Sequence, residues 1–386
     1  MTESEPKPEH QAETRVTSLE LFFDLVFVFA VTQVTATLVE DSSAIGALRG
    51  FLVLAAIWWA WTAYAWLTNS ANADRIGVRL SLLAAMGAML VVSLSVPQAF
   101  GSAALVFALS LFMVRIAHLL LFWLTARTKA LKKAVALLAP GVVLGGSLLI
   151  LAAFTRGWVQ LAIWMVALAF DYAAPLLSGM AGWHVSPAHF AERHGLIVII
   201  ALGEAIISLG IGAAGLPISA GLMAAAVTGL ICAAALWWVY FDLAIVFGER
   251  KLSALHGEQR NRLARDSYSY LHFPIIAGIV LFALGAKKTL AHFDQPLHGL
   301  GAVGLGLGPA MVLVTLSVLR KRHVEQHNRV RLVAALLSSL AVTLAPRISA
   351  LAAICYLAAV LVGIIVTEAV WARRLRARGR SIALRP

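Results

Sequence analysis

"SLELFFDLVFVFAVTQV", residues 18–34, decides the fold. It is apolar over the length of a membrane crossing, yet it carries Glu20, Asp24 and Gln33. A charge at the bilayer centre costs at least about 2.5–3.5 kcal/mol. Glu20 and Asp24 are four residues apart, so they share one face of a helix with Phe27 and Val31. Lipid does not tolerate such a face. The segment is predicted to cross the membrane with its carboxylates turned to the bundle interior or to a hydrated cavity.

The rest of the chain agrees. Its 386 residues are 61% hydrophobic and only 13% charged, and their mean hydropathy is +0.86. So much apolar surface excludes an ordinary soluble domain. Alternating segments of about ten residues, the mark of a membrane β-barrel, are absent. The fold class is therefore an all-α integral membrane protein. Cys232 and Cys355 lie in apolar spans and read as small buried hydrophobes, with no disulfide or metal set. The polar, mildly acidic start has the wrong charge for a signal peptide. Residues 1–17 are expected to be a disordered cytoplasmic tail.

Twelve apolar spans are expected: 19–39, 44–67, 78–97, 102–125, 134–154, 159–178, 194–211, 218–245, 269–285, 298–320, 329–345 and 349–371. Lys and Arg decide the orientation. On this count 25 of the 31 fall on the side that carries the tails, 5 fall on the other, and Arg115 lies inside a span. The positive-inside rule then puts both termini in the cytoplasm. The net charge of +12 comes from these short loops and from the basic tail 372–386, which suits anionic lipid rather than nucleic acid.

The chain also reads as two six-helix halves, 18–178 and 194–371, joined by a cytoplasmic connector at 179–193. Each half opens near an acidic helix start, Glu20 or Glu192, and each second span ends in a tryptophan pair, Trp58-Trp59 or Trp237-Trp238. Six is even, so the repeats would run parallel about an axis along the membrane normal.

Ionisable residues inside spans are the candidates for ion or substrate binding: Asp24, Glu204, Arg115, Glu20, Asp171, His118, Asp242 and His272, with Glu368 near a boundary. Glu204 and Arg115 each lie about 15 Å deep at 1.5 Å per residue, while Asp24 and Asp171 lie about 8–10 Å deep. Depth and sign make Arg115–Glu204 or Arg115–Asp24 the expected ion pair. Glu204 shares a face with Ile200 and Ser208, and Arg115 neighbours His118. These groups fit either a proton- or cation-handling site or a satisfied structural network. Trp59, Tyr64 and Trp66 read first as an interfacial aromatic belt, with a stacking platform as the alternative. His184, His189 and His194 lie in the connector and just beyond it, where Ser186-Pro187 reads as a helix start rather than part of a metal site. No phosphate-binding loop, dinucleotide motif or nucleophile elbow occurs. An enzyme is not expected, and no cofactor is implied.

"LELFFDLVFVFAVTQV", "WWAWTAYAWLTN", "ERHGLIVIIALGEAII", "WWVYFD" and "YSYLHFPIIAGIVLFALG" follow one another in order. Together they resemble the bacterial low temperature requirement protein A family, over roughly residues 15–370. The resemblance implies a multi-pass membrane protein linked to growth in the cold. The positions that carry it are Glu20, Phe23, Asp24, Trp59, Tyr64, Trp66, Arg193, Gly195, Gly203, Glu204, Tyr270 and His272. Where an acid-rich loop would follow the second span, this chain has "NSANADRIG" with only Asp74. "FFDLVFVFA" is also similar to the F-S-D signature of a lysosomal and bacterial potassium-channel family, with Phe23 in place of the serine. Three functions stay open: an inner-membrane secondary transporter coupled to protons or small cations and carrying an unknown small molecule, a cation channel, and a non-transporting scaffold for cold adaptation.

Overall fold

Thr17 starts the first helix. Its hydroxyl accepts from the Glu20 N–H at 3.3 Å, and its own N–H donates to Glu20 Oε2 at 2.9 Å. This reciprocal cap satisfies donors that the first turn leaves bare. α1 then runs over Ser18–Glu40. The computed structural model describes residues 16–70, 75–242, 244–325 and 328–377. Every regular element among them is helical. Seven more α-helices precede Ser219, with a short 3-10 helix at Val96–Gln98: α2 (Ala44–Ser70), α3 (Ile76–Ser95), α4 (Ala104–Thr125), α5 (Lys129–Ala136), α6 (Ala139–Ala152), α7 (Gly157–Leu177) and α8 (Pro187–Ala213). The chain continues through α9 (Ala220–Phe241), α10 (Ala244–Ala254), α11 (Gly257–Ala264), a π-helical turn at Arg265–Tyr270, α12 (His272–Ala291), α13 (Gly299–Val324), α14 (Arg329–Leu344) and α15 (Ala350–Ala377).

Eleven stretches among the described residues are long and apolar enough to cross a membrane. The twelfth expected span is α14. Its 16 residues reach about 24 Å, less than the roughly 30 Å of a hydrocarbon core. It still runs from one end of the bundle to the other. At its start, Asn328 and Arg331 hold Glu368 of α15. Beyond its far end, Ala345 C=O accepts from Leu297 N–H at 2.9 Å, and Ala350 N–H donates to Gln295 C=O at 2.8 Å. These bonds tie the α14–α15 turn to the α12–α13 turn.

A chain of contacts puts the start of α1 at the same end of the bundle as Glu368 of α15. Val16 N–H donates to Glu192 of α8, Ser186 N–H donates to Asn69 of α2, and Arg260 reaches the Val185 carbonyl. Lys251 of α10 approaches Glu325 just past α13. This is the basic end. Lys288 bonds Ser42 at the opposite end.

Helix pairings recur along the chain in the order expected of the two proposed halves. In the first, α3 packs on α1 and α4, α6 on α4 and α7, and α7 on α2. In the second, α12 packs on α8 and α13, α14 on α13 and α15, and α15 on α9. α1 and α8, the first span of each half, pack against each other.

α12 and α13 approach through glycine. A Cβ added at Gly308 would lie 2.6 Å from the Gly278 carbonyl and 2.6 Å from the Phe282 nitrogen, both backbone atoms. Small residues let membrane helices close to this distance. Gly308→Ala is expected to force the seam apart at about 1–3 kcal/mol. Gly87→Ala meets open space, so it gains helix propensity at no steric cost. Unfolding temperatures of the two variants in detergent check this contrast: Gly308→Ala below wild type, Gly87→Ala equal to it or above.

Several expected boundaries move. α8 starts at Pro187 with Ser186 as its N-cap, so residues 187–193 of the expected connector are helical. That first turn is polar in sequence but packs against protein, which hydropathy does not register. The short span expected at 269–285 is part of a longer run, α11 to α12, broken only by the π turn. α15 continues to Ala377, past the expected limit of the span, and the remainder of the basic tail lies outside the described residues. So do residues 1–15 of the N-terminal tail, and Asp74.

Candidate functional site

α8 delivers Arg193 to the carboxylate face of α1. Arg193 and Asp24 are wholly buried, and Glu20 is 1% exposed. Arg193 Nη1 lies 2.7 Å from Glu20 Oε1, and Nη2 lies 2.9 Å from Asp24 Oδ1. Carboxylates one helical turn apart suit the fork of a guanidinium, which presents several donors in a plane. One turn earlier on α8, His189 Nε2 is 3.2 Å from Glu20. From α2, Trp61 Nε1 donates to Asp24 Oδ1 at 2.9 Å, and Asn69 meets His189 Nδ1 at 3.1 Å. Each of these charges needs its partners, because a buried charge left alone is costly. The cluster therefore fastens α1, α2 and α8 together near the basic end.

His194 follows Arg193 in sequence but lies about 140° round the helix from His189 at 3.6 residues per turn. It packs edge-on against Trp61 and Tyr268, with ring centres 5.0 Å away in both cases. Its Nδ1 is 2.8 Å from the Phe190 carbonyl. His272 Nε2 meets Tyr240 Oη at 2.9 Å, and its Nδ1 meets the Ser267 carbonyl at 2.7 Å. The π turn widens the helix here and frees backbone groups. Trp58 Nε1 donates to the Ser269 carbonyl at 2.8 Å, and Trp66 Nε1 donates to Ser269 Oγ at 2.9 Å. The aromatic face of α2 thus bonds to the π turn before α12.

Glu204 is held differently. It is 1% exposed and sits nine residues before the end of α8. Ser208 Oγ bonds Glu204 Oε1 at 2.9 Å, and Thr32 Oγ1 of α1 bonds Oε2. No cation lies within 4 Å of this carboxyl among the described residues, and the Lys287 ammonium acts on it only from farther away. The Thr32 hydroxyl is also 3.1 Å from the Val28 carbonyl. A hydroxyl has one proton to donate, so it serves either the carbonyl or the carboxylate. If Glu204 is protonated, it donates to Thr32 and Thr32 donates to Val28. If Glu204 is ionised, Thr32 turns to it and releases Val28.

A third group lines a cavity of about 50 Å³ between α2, α4, α6 and α7. Arg115 Nη2 pairs with Asp171 Oδ1 at 2.7 Å, and Nη1 donates to the Trp59 carbonyl at 3.3 Å. Trp59 stacks on Tyr172 at 4.0 Å. A second cavity, of about 320 Å³, opens at the opposite end beside Asp41 and Arg49. Asp41 lies between α1 and α2, outside the spans, and the Ser43 hydroxyl and N–H hold its carboxyl below the usual range.

The family model for bacterial low temperature requirement A protein (LtrA) matches residues 15–366. The chain belongs to this family. It is also 26% identical over 321 residues to an uncharacterized protein of Rhizobium meliloti, a match that covers 80% of this chain and 77% of that one. No solved structure matches it.

In this LtrA family member the structure sorts the expected site residues into three places. Glu20 and Asp24 meet at Arg193, Glu204 is held by hydroxyls with no cation in contact, and Arg115, His118 and Asp171 line the cavity. Neither expected ion pair forms, because Asp171 takes the Arg115 charge. His272 is buried beside Tyr240, whereas Asp242 is exposed at the end of α9 and joins no cluster. Trp59, Tyr64 and Trp66 are buried, which overturns their reading as a lipid-facing belt. Trp237 and Trp238 are 44% and 48% exposed and suit one. Sequence reasoning did not place Arg193 and His189 in the site. Their signal was present: a cation embedded in "ERHGL", at a position the family resemblance already marked.

Proposed function

We propose that this LtrA family protein is a secondary transporter of the inner membrane, driven by protons, with both termini cytoplasmic. The observation that carries the reading is Glu204. It is a buried carboxyl hydrogen-bonded to neutral hydroxyls able to serve both of its protonation states, with the Lys287 ammonium acting on it only from beyond 4 Å. Glu20, Asp24, Asp171 and Glu368 each lie within 3 Å of an arginine, so taking up a proton there would break an ion pair. The charge asymmetry of the loops supports the orientation. The shared packing order of the halves supports a duplicated bundle that rocks about the α1–α8 seam. In this scheme the Arg193 cluster is the fastened end of that seam. The Thr32–Glu204 contact is the end that opens, so separating the halves exposes Glu204 to proton exchange.

The test is full-length protein in sealed liposomes with an internal pH dye and an imposed potassium gradient. Proton movement that saturates and needs a co-substrate supports the carrier. Fast, non-saturating cation flow would make it a channel. No ion movement under any gradient would leave the buried charges a structural role in a scaffold.

A further inference from the structure

The cavity at Arg115 holds more donors than the protein uses. Thr62 Oγ1, Trp183 Nε1 and Arg115 Nε are buried without a partner among the described residues, His118 has only the Ala63 backbone for its ring, and all four residues line the cavity. His118, Thr62 and Arg115 are each at least nine-tenths buried. Buried polar atoms in folded proteins are nearly always paired, so this concentration of unpaired groups at one void calls for an occupant.

We propose that the cavity binds a small monocarboxylate with an apolar body. The charge is suited to it. Asp171 occupies the Nη2 side of Arg115, and the Nε side remains free. A guanidinium N–H, an indole N–H and a hydroxyl without partners belong to residues that line this one cavity beside the His118 imidazole, and a carboxylate is an acceptor with about four lone-pair sites. An ammonium would compete with Arg115 Nη2 for the one lining carboxylate, Asp171, and the Arg115 and Arg265 guanidiniums in the same wall would repel it. The remaining wall includes Trp59, Trp66, Phe122, Leu119 and Val142. Such a wall rewards an apolar tail and gives nothing to a hydrated inorganic anion. The volume of about 50 Å³ limits the ligand to a few heavy atoms. Arg115 lies ten residues before the end of α4, about 15 Å from it, with Met180 and Trp183 of the connector among the lining residues. Binding stands by itself; as the substrate class of the carrier it rests on the reading above.

Isothermal titration of the purified full chain in detergent tests this, with acetate, propionate and butyrate against butyramide and butylammonium. The expected result is saturable millimolar binding of at least one carboxylate, with the amide and the ammonium at least tenfold weaker. Thr62→Val and Trp183→Phe each remove one donor and leave the Arg115–Asp171 pair intact. Each is expected to weaken binding by roughly 5–10-fold, the worth of one hydrogen bond. The amide and ammonium controls use the wild-type protein, so a variant that fails to fold leaves the result decidable. Amide binding as tight as carboxylate, no carboxylate binding, or unchanged affinity in both folded variants overturns the proposal. Binding without proton-driven flux keeps the site and removes the carrier. Flux without binding keeps the carrier and removes the site.

Discussion

Arg193→Leu will lose about 3–5 kcal/mol of stability, because it leaves Glu20 and Asp24 buried with no guanidinium between them. Native stability is typically only about 5–15 kcal/mol, so the variant is expected to give little monodisperse protein. Arg193→Lys keeps the charge but not the fork. One ammonium cannot serve two carboxylates that now sit 2.7 and 2.9 Å from separate nitrogens, so its loss will be intermediate. The triple variant Glu20→Gln, Asp24→Asn, Arg193→Met removes all three charges together and will recover much of the lost stability. Unfolding temperature in detergent orders the series. If Arg193→Leu unfolds with wild type, the cluster does not fasten α1 to α8.

Glu204→Gln will have the opposite profile, with a normal fold and lost function. A glutamine amide accepts from Ser208 and donates to Thr32, so the two contacts survive the change. Stability will stay within about 1 kcal/mol of wild type. Proton-driven flux in liposomes will fall at least tenfold, to the leak of empty vesicles. Thr32→Val tests the relay rather than the carboxyl. It removes the hydroxyl shared between Val28 and Glu204 and is expected to slow flux without abolishing it, while Thr32→Ser retains the hydroxyl and most of the rate. Asp24→Asn carries no such expectation of lost coupling, since Asp24 is fixed by Arg193 and Trp61.

The crossings and the carboxylate face of α1 were legible because both are periodic. Apolar length marks a span, and a spacing of four marks a face; Glu20, Asp24, Phe27 and Val31 are indeed all buried. The Ser208–Glu204 pair was legible for the same reason. Partners across helices were not. Depth gives the height of Arg115 in the membrane but not which helix stands opposite it, and Asp171 proved nearer than Glu204 or Asp24. Arg193 was assigned to a connector because its turn is polar, although burial against α1 makes it helical. The aromatics of α2 were read as interfacial because composition alone cannot separate a tryptophan facing lipid from one bonded to Ser269.

A pH-difference infrared spectrum of the purified protein observes the proposed proton site itself. A carboxyl that takes up a proton between two pH values shows a protonated-acid stretch, and a buried one held by hydroxyls shows it at a shifted position. That band is expected in wild type, absent in Glu204→Gln and unchanged in Asp24→Asn. If it persists in Glu204→Gln, or if no carboxyl titrates at any pH at which the protein stays folded, Glu204 is not the coupling group.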